Sequence, residues 1–120
     1  MHYLQRFPIH DKEQLIYLTE SQYVIGRRNN DGNVTYIMHY FNVSKIHMKM
    51  VRFKSKWRLV DLKSFNGTFL NGVKMMPNIV YTLKHHDKIG IGCPIEYSRR
   101  EINNQTFVFR YNVPLNEQGE

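Results

Sequence analysis

Ser64-Phe65-Asn66-Gly67-Thr68-Phe69-Leu70-Asn71-Gly72 places two Asn-Gly pairs on either side of three strand-forming residues. Asparagine and glycine tolerate the positive φ that tight turns demand and most side chains resist. The stretch therefore predicts a very short strand, Thr68–Leu70, held between two turns. Ser64 follows Asp61 by three residues, a spacing that makes the first turn a shaped loop rather than a bare hairpin.

The same rhythm runs outward from this stretch. Short runs rich in Val, Ile, Tyr, Phe and Thr recur at about the spacing of a β-sandwich, punctuated by Gly, Asn, Asp and Pro. The expected strands are Tyr3–Phe7, Gln14–Leu18, Tyr23–Ile25, Thr35–Met38, Met48–Phe53, Trp57–Asp61, Thr68–Leu70, Ile79–Leu83, Lys88–Ile91, Ile95–Tyr97 and Thr106–Tyr111. In the last of these Phe107, Phe109 and Tyr111 alternate with Thr106, Val108 and Arg110, so one face is aromatic. No uninterrupted window carries the i, i+3, i+4, i+7 stripe of a packed amphipathic helix, so essentially no helix is expected. Asn29–Asn33 reads as an exposed loop and residues 114–120 as a flexible polar tail, with a single domain over 1–113.

A chain of 120 residues with 42% hydrophobic content can bury one core. Seventeen Lys plus Arg against ten Asp plus Glu give a formal charge of +7, which points to an anionic partner. Cys93 stands alone and cannot close an intramolecular disulfide, and neither a leader nor a membrane-spanning apolar run is visible. A nuclear or cytoplasmic setting is expected, with the nucleus favoured.

Catalysis finds few candidates. His85 and His86 are adjacent, so in an extended segment they face opposite ways; Cys93 has no motif around it. Ser44 and His47 resemble a dyad but lack a third group to orient the histidine. No metal, nucleotide or other cofactor motif is present, so no cofactor is expected and the chain is read as a non-enzyme.

Gly26-Arg27, Ser44-x-x-His47, Ser64-x-Asn66-Gly67-Thr68-x-x-Asn71-Gly72 and Leu83-x-x-x-Asp87-x-Ile89-x-x-Gly92 are similar, in order and spacing, to the motifs of the forkhead-associated (FHA) domain. The resemblance runs from about Leu15 to Tyr111. It implies an all-β, eleven-stranded β-sandwich of the FHA/SMAD-like type, whose loops at one end read phosphothreonine in an extended peptide. Carried over position by position, Arg27 and Ser44 would bind the phosphate and Asn66 the peptide main chain. Gly26 and His47 would be scaffold, as would Gly67, Thr68 and Asn71.

The chemistry of these side chains agrees with that assignment. Arginine presents a permanently charged fork of N–H donors to phosphate oxygens. A primary amide can bind the C=O and the N–H of an extended backbone together. Lys45, beside Ser44, is a candidate second cation for the phosphate. Phe65, Ser64 and Ile46 are candidates for specificity, with an apolar or aromatic preference expected three residues after the phosphothreonine. Ile46 departs from the polar residue usual at its position, and His86-Asp87 replaces the usual Gly-Asp turn.

Asn33-Val34-Thr35-Tyr36, Met76-Pro77-Asn78-Ile79-Val80-Tyr81 and Gly92-Cys93-Pro94-Ile95-Glu96 resemble the FHA domains that head RING-finger ubiquitin ligases of the DNA double-strand-break response. That likeness implies recruitment to kinase-phosphorylated partners in checkpoint or damage signalling, with any ligase domain lying in a longer parent protein. Two alternatives stand beside it. One is a nucleic-acid-binding β-domain using Lys54, Lys56, Arg58, Arg99 and Arg100, although direct nucleic-acid binding is not the expectation. The other is an FHA-like interaction or dimerisation module indifferent to phosphate.

Overall fold

The computed structural model describes residues 1–6, 15–28, 34–39, 42–93 and 108–118. Among them are eleven strands: β1 (Tyr3–Arg6), β2 (Leu15–Tyr17), β3 (Gln22–Gly26), β4 (Tyr36–Ile37), β5 (Met48–Phe53), β6 (Lys56–Asp61), β7 (Thr68–Leu70), β8 (Val73–Lys74), β9 (Tyr81–Thr82), β10 (Lys88–Ile91) and β11 (Val108–Asn112). They form a six-stranded sheet, ordered β2-β1-β11-β10-β7-β8, and a five-stranded sheet, ordered β4-β3-β5-β6-β9. The two sheets make the β-sandwich the sequence predicts. Neighbouring strands are antiparallel except β3 and β4, where Ile25 pairs with Tyr36 and Gly26 with Ile37 in parallel.

Side-chain alternation explains the layering. In β5 the methionines Met48 and Met50 turn inward, and in β6 Trp57, Leu59 and Asp61 do the same. They meet Leu4, Ile89, Ile91, Phe109 and Tyr111 from the facing sheet in one core cluster. Each large apolar side chain so buried contributes about 1.5–3 kcal/mol. The aromatic face expected on the last strand is present at Phe109 and Tyr111, both almost fully buried; Phe107 lies outside the described residues.

Several boundaries differ from expectation. β8 was not anticipated: Asn71 (φ 51°) and Gly72 (φ 84°) make a two-residue hairpin turn, and Leu70 pairs with Val73. The expected Ile79–Leu83 contracts to Tyr81–Thr82, because β6 offers β9 only the pairs Arg58↔Thr82 and Leu59↔Tyr81. Asn78, at φ 61°, bends the chain just before Ile79 and Val80, which remain exposed. The expected strand Ile95–Tyr97 and the loop Asn29–Asn33 lie outside the described residues. His86 adopts φ 72°, so the His86-Asp87 turn forms without glycine. Beyond residue 113 the chain makes a single 3-10 turn, Leu115–Glu117, and Glu117 meets the N-terminal amine and His2.

One pole of the sandwich is drawn together by two tight devices. Gly26 ends β3 against the carbonyl of Lys45, and a Cβ there would stand 2.0 Å from that oxygen. Only glycine allows the approach. His47, wholly buried, spans three segments: its Nδ1 accepts from the Ser44 N–H (3.0 Å), its Nε2 donates to the Gly67 carbonyl (3.0 Å), and its own N–H donates to Ile25 (2.8 Å). These partners require the neutral imidazole with its proton on Nε2.

Gly26→Ala should lower the unfolding free energy by about 1–3 kcal/mol in a urea titration, since backbone must move to make room; an unchanged midpoint would contradict the packing. Burial pushes the His47 pKa below its ordinary value, against the pull of the Gly67 carbonyl and the Asp61 charge. The unfolded state then binds more protons than the native one, so the stabilisation is complete above about pH 6.5 and is lost as pH falls through the folded-state value. Urea midpoints measured from pH 7.5 down to 5.5 should decline more steeply in the parent than in His47→Gln. Parallel pH profiles would remove His47 from this role.

Candidate functional site

Three connections converge at this pole: the end of β3, the segment entering β5, and the β6–β7 loop. Arg27 follows the constrained Gly26, and its N–H donates to the Ser44 carbonyl at 2.9 Å. The Ser44 hydroxyl oxygen in turn accepts from the Phe65 N–H at 2.9 Å. The Asn66 side-chain amide donates to the Asn42 carbonyl at 3.0 Å. Each loop is therefore fixed by its neighbour and not by its own sequence alone.

Asp61, at the end of β6, shapes the β6–β7 loop from below. Its buried carboxylate accepts from the Ser64 N–H (3.2 Å), the Ser64 hydroxyl (2.5 Å) and the Thr68 hydroxyl (2.7 Å). The loop then crosses Gly67, at φ 87°, whose carbonyl also accepts from the Gly92 N–H. A second clamp lies at the other end of β7. The Asn71 amide donates to Asp87 (2.9 Å) and accepts from the Lys88 N–H (2.9 Å), which holds the β7–β8 hairpin onto β10.

The result is a recess of about 440 Å³ lined by Arg27, Val43, Ser44, Lys45, Ile46, Phe65 and Asn66. Six of these seven were singled out in the sequence, and the structure brings them together. Ser64 is not on the wall; it is turned to Asp61. Gly26, His47, Gly67 and Thr68 lie behind the recess in the supporting contacts just described, whereas Asn71 holds the other end of β7.

The wall has two characters. On the polar side, Arg27 Nε is buried and has no hydrogen-bond partner. A desolvated N–H left unpaired carries a cost in the free protein. Ser44 uses its oxygen as an acceptor, which leaves the hydroxyl hydrogen directed elsewhere and available to donate. Lys45 is exposed at the rim. On the apolar side, Val43 is buried, Ile46 is partly exposed, and Phe65 is 90% exposed. An aromatic ring so open to water, on a loop fixed at both neighbours, is a surface awaiting contact.

Sequence reasoning passed over Val43 and Asn42. Val43 sits beside Ser44 with no pattern to mark it, and Asn42 contributes through its backbone carbonyl, which no residue type announces. Asp61 left a signal in its spacing from Ser64, but its reach to Thr68 is a tertiary fact. The described residues contain no cluster of His, Cys, Asp and Glu able to hold a metal ion, and no helix long and apolar enough to cross a membrane.

Comparison with known proteins places this architecture. The E3 ubiquitin-protein ligase RNF8 of Pongo abelii is 32% identical over 60 residues, covering 50% of this chain and 11% of that protein. The crystal structure of the FHA domain of CT664 from Chlamydia trachomatis superposes with a TM-score of 0.69 at 16% identity, over 95% of this chain and 99% of that one. The MEK1 FHA domain, solved in complex with a phosphothreonine peptide of HOP1, gives 0.62 at 21% identity, over 93% and 95% of the two chains. The family model of the FHA domain matches residues 23–92, more than half of the sequence, and the chain belongs to the FHA domain family.

Proposed function

We propose that this pole binds phosphothreonine in an extended peptide, without chemistry, and so recruits its parent protein to kinase-phosphorylated partners. The observation that carries the reading is the unpartnered, buried Nε of Arg27 beside a serine hydroxyl whose hydrogen is uncommitted. Arg27 and Ser44 donate to the phosphate oxygens, and Lys45 adds charge at the rim. Asn66, with one N–H held by Asn42, has its carbonyl oxygen and its second N–H left for the peptide main chain.

The apolar wall sets the finer preference. Val43 and Ile46 offer the threonine methyl a contact that phosphoserine does not fill, and Phe65 meets an apolar or aromatic side chain three residues further on. Ser64 acts on this preference indirectly, by fixing the loop that carries Phe65. The phosphothreonine peptide on the MEK1 FHA domain supports a ligand of this class. The likeness to a segment of RNF8 supports a nuclear, DNA-damage setting and a longer parent protein, of which this chain is the reader.

A few charge-assisted hydrogen bonds, less the cost of association, leave an affinity of about micromolar order. Titration of a labelled phosphothreonine peptide should show Arg27→Ala weakening binding by at least about tenfold, the loss of one well-placed charged bond, with the β-sandwich fold retained by circular dichroism. A variant that binds as tightly as the parent would refute the assignment. Asn66→Ala should weaken the same peptide by roughly two- to tenfold, and an unaffected titration would end the clamp.

A further inference from the structure

The outer face of the five-stranded sheet carries an ordered set of cations that the phosphate pole does not use. In the β5–β6 ladder the outward-facing rows are Lys49↔Val60, Val51↔Arg58 and Phe53↔Lys56. Each row holds one cation and one apolar side chain. Alternate positions on a strand are about 7 Å apart, so the three cation-bearing rows follow one another at that interval from the phosphate pole toward the opposite one. Arg58 lies over the Phe53 ring at 4.3 Å, which shows that both project from the same face, and Lys54 at the hairpin tip stands 5.6 Å from the centre of the same ring.

Among the described residues no carboxylate neutralises Lys49, Lys56 or Arg58. Asp61 points into the core toward Ser64 and Thr68, Asp87 is bonded to Asn71 and to the Lys84 N–H, and Glu117 meets the N-terminus and His2. Glu20 sits in the turn before β3. Among the described residues, Asp61, Asp87 and Glu117 are thus committed elsewhere.

We infer that this face docks an acidic protein segment lying extended along β5 and β6, with a carboxylate at every second residue. Extended peptide repeats its side chains on one face at the same interval of about 7 Å, so each carboxylate meets one row. The methylene stems of glutamates cover Val60 and Val51, the apolar members of the two rows whose partner is not already covered. Nucleic acid would match the charge but not the remainder. Single-stranded binding surfaces offer successive aromatic rings for bases, whereas here two of the three row partners are valines and the single ring is already covered by Arg58. The site is independent of the phosphate pole and needs no phosphorylation.

The test uses an unphosphorylated peptide of alternating glutamate and serine, titrated into the isotopically labelled chain at low salt. Amide shift changes should concentrate in β5 and β6, and the affinity should fall by about tenfold in the combined Lys49→Gln, Lys56→Gln, Arg58→Gln variant, the loss of three exposed ion pairs. The parent shift map stands by itself if that variant folds poorly. Shifts centred on Arg27, Ser44 and Asn66, or no shifts, would overturn the proposal. So would an oligothymidylate of equal charge that binds the same face as tightly as the peptide.

Discussion

A neutral, buried imidazole holds the functional end of this sandwich together. His47 links the N–H of Ser44 to the carbonyl of Gly67 across the two loops that flank the recess. Its backbone also joins β3 to the next segment through Ile25. Breaking those bonds inside the core would leave buried polar groups unpaired, so they favour this one arrangement of the loops. The recess is consequently preorganised, and little conformational entropy remains to be lost on binding.

Close packing at Gly26 works with that histidine. The Lys45 carbonyl presses where a side chain would otherwise project, which sets Arg27 immediately beside the Ser44 carbonyl. Arg27 then reaches the recess with a buried, unpaired Nε. Such a group is a stored cost in the free protein, and the proposed phosphate ligand would relieve it. Stability given up at the site is recovered in the core, where Trp57, Met48, Met50, Leu59 and Phe109 are almost completely shielded.

Two of the described acids are committed to local structure. Asp61 and Asp87 each organise a turn through several bonds, so they contribute local geometry and little surface field. Lys45, Lys54 and Lys56 are exposed. The chain carries a formal charge of +7, and a net positive charge favours anionic partners before contact is made.

Much of this was legible in the residues. The Asn-Gly pairs determined β7 and its turns, the alternating apolar positions determined which faces of β5 and β6 are buried, and the order of Gly26-Arg27, Ser44, His47 and Asn66 singled out three residues of the recess wall, Arg27, Ser44 and Asn66, and two behind it, Gly26 and His47. These are local signals: backbone tolerance, side-chain period and residue chemistry act within a few positions of chain. Only the tertiary structure decided that Ser64 turns away to Asp61, that Val43 joins the wall, that the Asn42 carbonyl holds Asn66, and that Arg27 Nε is left without a partner. The reason is physical: hydrogen-bond satisfaction and packing depend on groups brought together from separate strands, and a carbonyl or an enclosed methyl carries no mark of its future neighbour in the sequence.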